Sequence, residues 1–286
     1  MFPSHWQFHI AEPVNELVNR LLTTFAPFFD GLSAIILSLL LNIHHGLLAI
    51  PWWVIIALIG LSAWLTTHRW SLVMVLTTLP MLIGFFGLWA LAMETLAIII
   101  TAVVIAVSVG IPLGIFMAEV RYIDLVCRPL LDAMQTMPSF VYLIPAMMFF
   151  GLGRVPAVLA TVIYALPPVT RLTNLGLKQV SPAVEEAALA YGATRWQLLT
   201  EVRIPLAMPS ILAGVNQTTM MALAMVVIAS MIGARGLGYE VLIAINRIDV
   251  GRGLEAGLSV VILAIVIDRL TQGFAERWKP QNKRAV

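Results

Sequence analysis

Along the 286 residues, long apolar runs alternate with short charged breaks. Stretches free of Asp, Glu, Lys and Arg cover 31–68, 70–93, 95–118, 133–153, 155–170 and 204–234. A weaker one covers 254–270, with Glu255 at one end and Asp268 and Arg269 at the other, where side chains can reach a membrane interface. A helix rises about 1.5 Å per residue, so roughly 20 apolar residues cross a hydrocarbon layer of about 30 Å. The pattern therefore predicts about seven transmembrane helices. The first run is too long for one span. Its membrane helix is placed at 47–65, and 14–42, interrupted by Glu16, Arg20 and Asp30, is expected to form one or two helices along the surface.

Composition agrees with the pattern. The chain is 60% hydrophobic and only 11% charged, too little charge to cover a water-facing surface. The fold class is all-α membrane protein. A net charge of +2 gives no reason to expect a nucleic-acid partner. The single cysteine, Cys127, cannot make an intrachain disulfide, and the five histidines show no zinc-binding spacing, so no metal site is expected. The first residues lack a basic segment ahead of an apolar core, so no cleaved signal is expected and the first membrane helix is expected to direct insertion.

The basic residues orient the spans. With the C-terminus in the cytoplasm, 12 Lys and Arg residues fall on inside segments and 5 outside, while the acidic residues divide almost evenly. An external N-terminus and a cytoplasmic C-terminus follow. Pro80, Pro112, Pro145, Pro167 and Pro168 interrupt the spans, and Gly110 and Gly114 form a GxxxG pair that suits close helix packing.

The longest cytoplasmic break, 179–205, carries local structure of its own. Ser181 and Pro182 can open a helix that Gly192 ends, and Thr194 with Gln197 fits a capping box for a second short helix ending near Pro205. Ala187, Ala188 and Ala190 make a smooth ridge that another protein can approach closely, with Glu186 free to pair. Chemistry alone leaves two readings of this hairpin, a docking knob or a loop folded back on its own bundle.

The sequence Glu186-Ala187-Ala188, then Gly192, then Val202-Arg203-Ile204-Pro205 resembles the EAA signature of ATP-binding-cassette importer permeases, with Val202 and Ile204 as apolar-for-apolar departures. The segments 128–143, 164–172, 205–218 and 225–232 are similar to the membrane subunit of glycine betaine/proline uptake systems, and the likeness extends over about 47–272. The resemblance implies an importer core over 94–272 with its coupling loop at 176–209. It implies two accessory helices over 47–93, ahead of which lies an external segment, 1–46, and after which comes a basic cytoplasmic tail, 273–286. By that resemblance Glu185, Glu186, Ala187, Ala188, Leu189, Ala190, Tyr191, Gly192, Ala193 and Thr194 form the contact with a separate ATPase. It also implies a second permease copy, a pair of ATP-binding subunits that hold ATP and Mg, and an extracytoplasmic substrate-binding protein. The cargo implied is glycine betaine or a related compatible solute, and the location a bacterial cytoplasmic membrane.

Two checks follow from the residues. The lysines, Lys178, Lys279 and Lys283, follow Leu177, Trp278 and Asn282, so no Gly-Lys-Ser/Thr phosphate loop is present and the energy source must be a partner. The rival, an ion-coupled carrier or channel for a small zwitterion, commonly needs a carboxylate near the bilayer midplane. Glu94, Glu119, Glu255 and Asp268 all fall near span ends. Polar groups within spans give a candidate translocation path: Thr101, Ser108, Thr161, Asn216, Gln217, Thr218 and Thr219. Each of these either meets cargo or bonds a neighbouring helix. The stretch 233–238 is expected to be a tight outer turn, and the basic tail a cytoplasmic end able to meet anionic lipid.

Overall fold

In the computed structural model, which describes residues 11–277, the apolar runs fold into helices and the described residues contain no strand. Helices α1 (Ala11–Thr24) and α2 (Ala26–Ala49) lead into a hairpin of α3 (Trp52–Thr67) and α4 (Trp70–Phe85). The long α5 (Trp89–Glu119) is followed by α6 (Arg121–Thr136), α7 (Leu143–Phe150) and α8 (Arg154–Lys178). Two short helices, α9 (Pro182–Ala190) and α10 (Arg195–Gln197), precede α11 (Ile204–Ala229), and α12 (Leu237–Arg247) and α13 (Val250–Arg277) complete the chain.

Among the described residues five helices are long and apolar enough to cross a membrane, or six if the bent pair of α6 and Ser139–Phe150 is one span. Three differences from the sequence expectation have physical causes. First, the chain breaks at Phe25, and α2 then runs unbroken to Ala49, with the length of a span and with Ile36 and Leu40 buried. Asp30 lies near one end of that helix and leaves its remainder uncharged, so one acidic residue does not confine it to a surface. Second, 47–65 and 70–93 are represented by the 16-residue helices α3 and α4, each about 24 Å long. Third, the run 133–153 is not straight. Pro138 forces Met137 into an extended conformation (ψ 139°), which ends α6, and the chain turns through 110° before α7. Helix α6 is amphipathic, with Arg121, Asp124, Arg128 and Asp132 among its 16 residues, a composition suited to a surface.

The core is built on α8, which packs against α5 on one side and α11 on the other. Small residues set the spacing. A Cβ on Gly114 would stand 2.6 Å from the backbone oxygen of Thr170, and one on Gly214 would stand 2.9 Å from the Cα of Val169. These glycines let the α5 and α11 backbones come within contact of α8 where any side chain would hold them apart. Ile36 and Leu40 of α2 join Ile98, Ala102, Val158 and Met225 in the same apolar cluster. The α3/α4 hairpin is seated against α13 through Ile55, Leu76, Ile83, Ile262 and Val266.

The two ends of the bundle differ. At one, Glu94 pairs with Arg154, and the Gly153 N–H donates to the Ile232 oxygen at 2.8 Å. The turn at 233–238 belongs to this end; Ala234, Gly236, Leu237 and Gly238 are buried, while Gly233 and Arg235 are exposed. Gly233 and Gly236 take φ of +94° and +116°, and the Leu237 N–H donates to Thr95 Oγ1 at 2.8 Å. Helix α12 follows this turn at once, and Arg252 of α13 folds back to pair with its Glu240. At the opposite end, the last residues of α5 and α8 meet the start of α11 and the short helix α9.

Candidate functional site

At that second end the segment 179–205 stands out from the bundle. Ser181 stands at the N-cap of α9 but its side chain makes no capping bond; its carbonyl accepts from the N–H of Val184 at 3.0 Å, while Pro182 occupies the first helical turn, where its missing N–H leaves no bond unmade. Gly192 closes α9 with φ +89°. The Ala193 N–H returns to the Ala188 oxygen at 3.1 Å, so the chain reverses within a few residues. Thr194 and Gln197 form a reciprocal capping box: the Gln197 N–H donates to Thr194 Oγ1 at 3.3 Å, and the Thr194 N–H donates to Gln197 Oε1 at 2.9 Å.

The second short helix does not stop near Pro205. It widens into a π-turn over Leu198–Arg203, in which the Ile204 N–H reaches back to the Leu199 oxygen, and then continues as α11. Proline is tolerated because it falls in the first turn of the renewed α-helix, where a backbone donor is not required. The loop and α11 are thus one continuous element.

Every residue of α9 is at least partly exposed. Glu186, Ala187, Leu189 and Ala190 face outward with Thr194, and Tyr191 is 94% exposed. Glu185, Ala188 and Ala193 are partly covered. The root is fixed by buried Leu198 and by Arg203, whose side chain is 13% exposed. Arg203 forms an ion pair with Glu119 at the end of α5 and another with Glu185 of α9 at 3.1 Å, and it donates to the Leu177 carbonyl of α8 at 3.5 Å. Beneath α9 lies a cavity of about 320 Å³ lined by Gly176, Val180, Ser181, Val184, Leu206 and Ser210.

A second ionic group sits at this end. Asp124 of α6 accepts from Lys178 and Asn174 of α8, each at 2.8 Å, and from Arg128 at 2.9 Å, while Asp132 pairs with Arg171. Burial pushes the Asp124 carboxyl upward, but the bonds from Lys178, Arg128 and Asn174 outweigh it and hold the group at about 2. This clasp borders a cavity of about 390 Å³ lined by Met117, Arg128, Asp132, Arg171, Asn174 and Lys178.

The seven polar residues within the spans are not gathered in one place. Thr101, Thr161 and Thr219 bond to carbonyls of their own helices, at Ala97, Ala157 and Val215. Asn216 donates to Asp268 at 3.2 Å and accepts from Thr271, joining α11 to α13. Thr218 inserts its hydroxyl into the α8 ladder, accepting from the Val169 N–H at 3.2 Å and donating to the Ala165 oxygen at 2.8 Å. That is a brace at the point where Pro167 and Pro168 remove two helix donors. Ser108 and Gln217 remain exposed on the single chain.

Sequence reasoning missed Arg203 as an anchor and Asp124 as the centre of a clasp. Their only local signal is position, a charged residue at the end of an apolar run, which also describes an ordinary membrane boundary.

Residues 110–280 match the family described as "Binding-protein-dependent transport system inner membrane component". The glycine betaine/carnitine transport permease protein GbuB of Listeria monocytogenes is 44% identical over 275 residues, covering 95% of this chain and 97% of that protein. The glycine betaine/proline betaine transport system permease protein ProW of Escherichia coli is 45% identical, covering 95% of this chain and 76% of its own length. Among solved structures, an inward-facing form of the MetNI methionine ABC transporter aligns with a TM-score of 0.59 at 19% identity, over 68% of this chain and 96% of the other. At that identity the likeness is one of fold. The chain belongs to the inner membrane components of binding-protein-dependent transport systems, among the permeases of the glycine betaine and proline betaine uptake group.

Proposed function

We propose that this chain is the permease subunit of an ATP-driven importer that brings glycine betaine, or a related quaternary-amine or proline osmolyte, into the cell. Coupling to a separate ATPase runs through the loop 181–205. The observation that carries this reading is the form of α9, an outward-facing helix whose base is tied to the ends of α5 and α8 and is continuous with α11. A projecting helix of this kind is suited to receive a push and pass it into the bundle as a rigid body.

The remaining parts follow from the same reading. The loop end is cytoplasmic, in keeping with the 12 to 5 division of basic residues. ATP and Mg belong to a pair of ATPase subunits, since this chain lacks a phosphate loop. An extracytoplasmic binding protein delivers cargo at the opposite end, near the turn at 233–238. A second copy completes the pore. Tyr122, Leu125, Val126 and Leu130 of α6, together with Phe140 and Ile144 beyond the bend, are exposed large apolar side chains, and they supply the face for it. A zwitterion needs a wet, weakly binding route without fixed charge, and exposed Ser108 and Gln217 are the members of the polar set free to line it. Choline, carnitine and the betaines would require nearly the same pore.

Reconstitution tests the proposal. Uptake of labelled glycine betaine into vesicles should require ATP, the ATPase and the binding protein together. Glu186→Lys or Gly192→Pro should abolish both ATPase association and uptake. Unchanged association and uptake in these variants would refute the coupling role, and uptake by this chain alone under an ion gradient would establish the carrier instead.

A further inference from the structure

The coupling reading leaves open how a movement of α9 reaches helices to which it is not joined in sequence. We infer that Arg203 is the positioning residue that makes this link, and the inference rests on the docking role proposed for α9. Its guanidinium is the meeting point of three elements: Glu185 on α9, Glu119 on the last turn of α5 and the Leu177 carbonyl on the last turn of α8. Arg203 itself belongs to the turn that becomes α11. One side chain thus joins the loop to each of the three helices at the core of the bundle.

The chemistry of the residue fits that task. A guanidinium spreads its charge over a planar group, so it can face two carboxylates as ion pairs and donate to a carbonyl at once, whereas a lysine ammonium acts as a point charge. With 13% of its side chain exposed, Arg203 is shielded from solvent more than either Glu119 or Glu185, at 40% and 31%. Its departure from the junction would leave charges partly buried without partners, so the junction moves as a unit. The π-turn contributes geometrically. By widening the helix over Leu198–Arg203, it sets Arg203 at the point where the loop becomes α11.

The test uses the assembled permease, ATPase and binding protein in lipid vesicles, and reads glycine betaine imported per ATP hydrolysed together with the amount of ATPase that co-purifies. Arg203→Gln should leave co-purification intact and lower the import ratio about tenfold, within the usual range of a coupling free energy. Arg203→Lys should recover part of the loss. Glu119→Gln, on α5, should lower the ratio in the same direction, and it decides the matter if Arg203→Gln fails to assemble. A wild-type ratio in Glu119→Gln, or in an assembled Arg203→Gln complex, overturns the inference. A parallel cross-link separates it from the reading beneath it: Ala188→Cys, in a Cys127→Ser background, should join the ATPase. If it does and the variants keep the wild-type ratio, the link through Arg203 fails while docking stands. If the parent complex gives no cross-link, docking fails and the inference falls with it.

Discussion

At the scale of single residues, close approach and polar bonding organise the core. Gly114 is the sharpest case of close approach. Its missing side chain is what lets α5 reach the Thr170 backbone, and a backbone oxygen 2.6 Å from a new Cβ cannot move aside as a side-chain tip could. Gly114→Ala should therefore destabilise the protein by about 1–3 kcal/mol, the usual effect of overpacking a close contact. Gly31→Ala is the control, because open space surrounds that position. Thermal unfolding in detergent should show a lower midpoint for the first and no loss for the second. Equal midpoints would contradict the packing account. Thr218 illustrates the other force, a hydroxyl bridging the Val169 N–H and Ala165 carbonyl beside a pair of prolines. The sequence shows a threonine within a span, but its partner is 53 residues away and cannot be read from local pattern.

At the scale of elements, features set by neighbouring residues were legible and those set by distant partners were not. Pro182, Gly192 and the Thr194/Gln197 pair each act on backbone groups within a few positions, so the form of the loop could be written down in advance. The π-turn escaped notice because proline reads locally as a stop. Helix α12 escaped because its first residue, Leu237, is held by Thr95, 142 residues earlier. The seating of α6 against α8 shows a similar limit. Pro138 marks a break, but that α6 then lies against α8 depends on Asp124 meeting Lys178 and Asn174. Because the Asp124 carboxyl lies below its unfolded value, the clasp contributes stability above pH about 4 and loses it as pH falls towards 2. Asp124→Asn should loosen the hold of α6 on α8 at neutral pH. Arg128 is 60% exposed and Lys178 is 35% exposed, so solvent screening limits the effect to about 1 kcal/mol. That corresponds to roughly fivefold faster hydrogen exchange in α6 amides, with no change in α9. Unaltered exchange in α6 would show that the clasp does not hold it.

At the scale of the whole molecule, the two ends of the bundle differ, and the proposed mechanism assigns one as the working end and the other as the delivery end. The delivery end is closed by Glu94 with Arg154 and by the turn at 233–238. The working end carries α9, the Arg203 junction and the α6 clasp within one region. Helix α9 stays exposed in the single chain while its base is bonded to three helices, the form that the proposed docking role requires. The most direct test places a cysteine at Tyr191, 94% exposed on the loop, in a Cys127→Ser background, and treats inside-out and right-side-out vesicles with a membrane-impermeant maleimide. The account predicts labelling in inside-out vesicles alone, with protection when the ATPase is bound; labelling from the outer face, or labelling that the ATPase leaves unchanged, would contradict it.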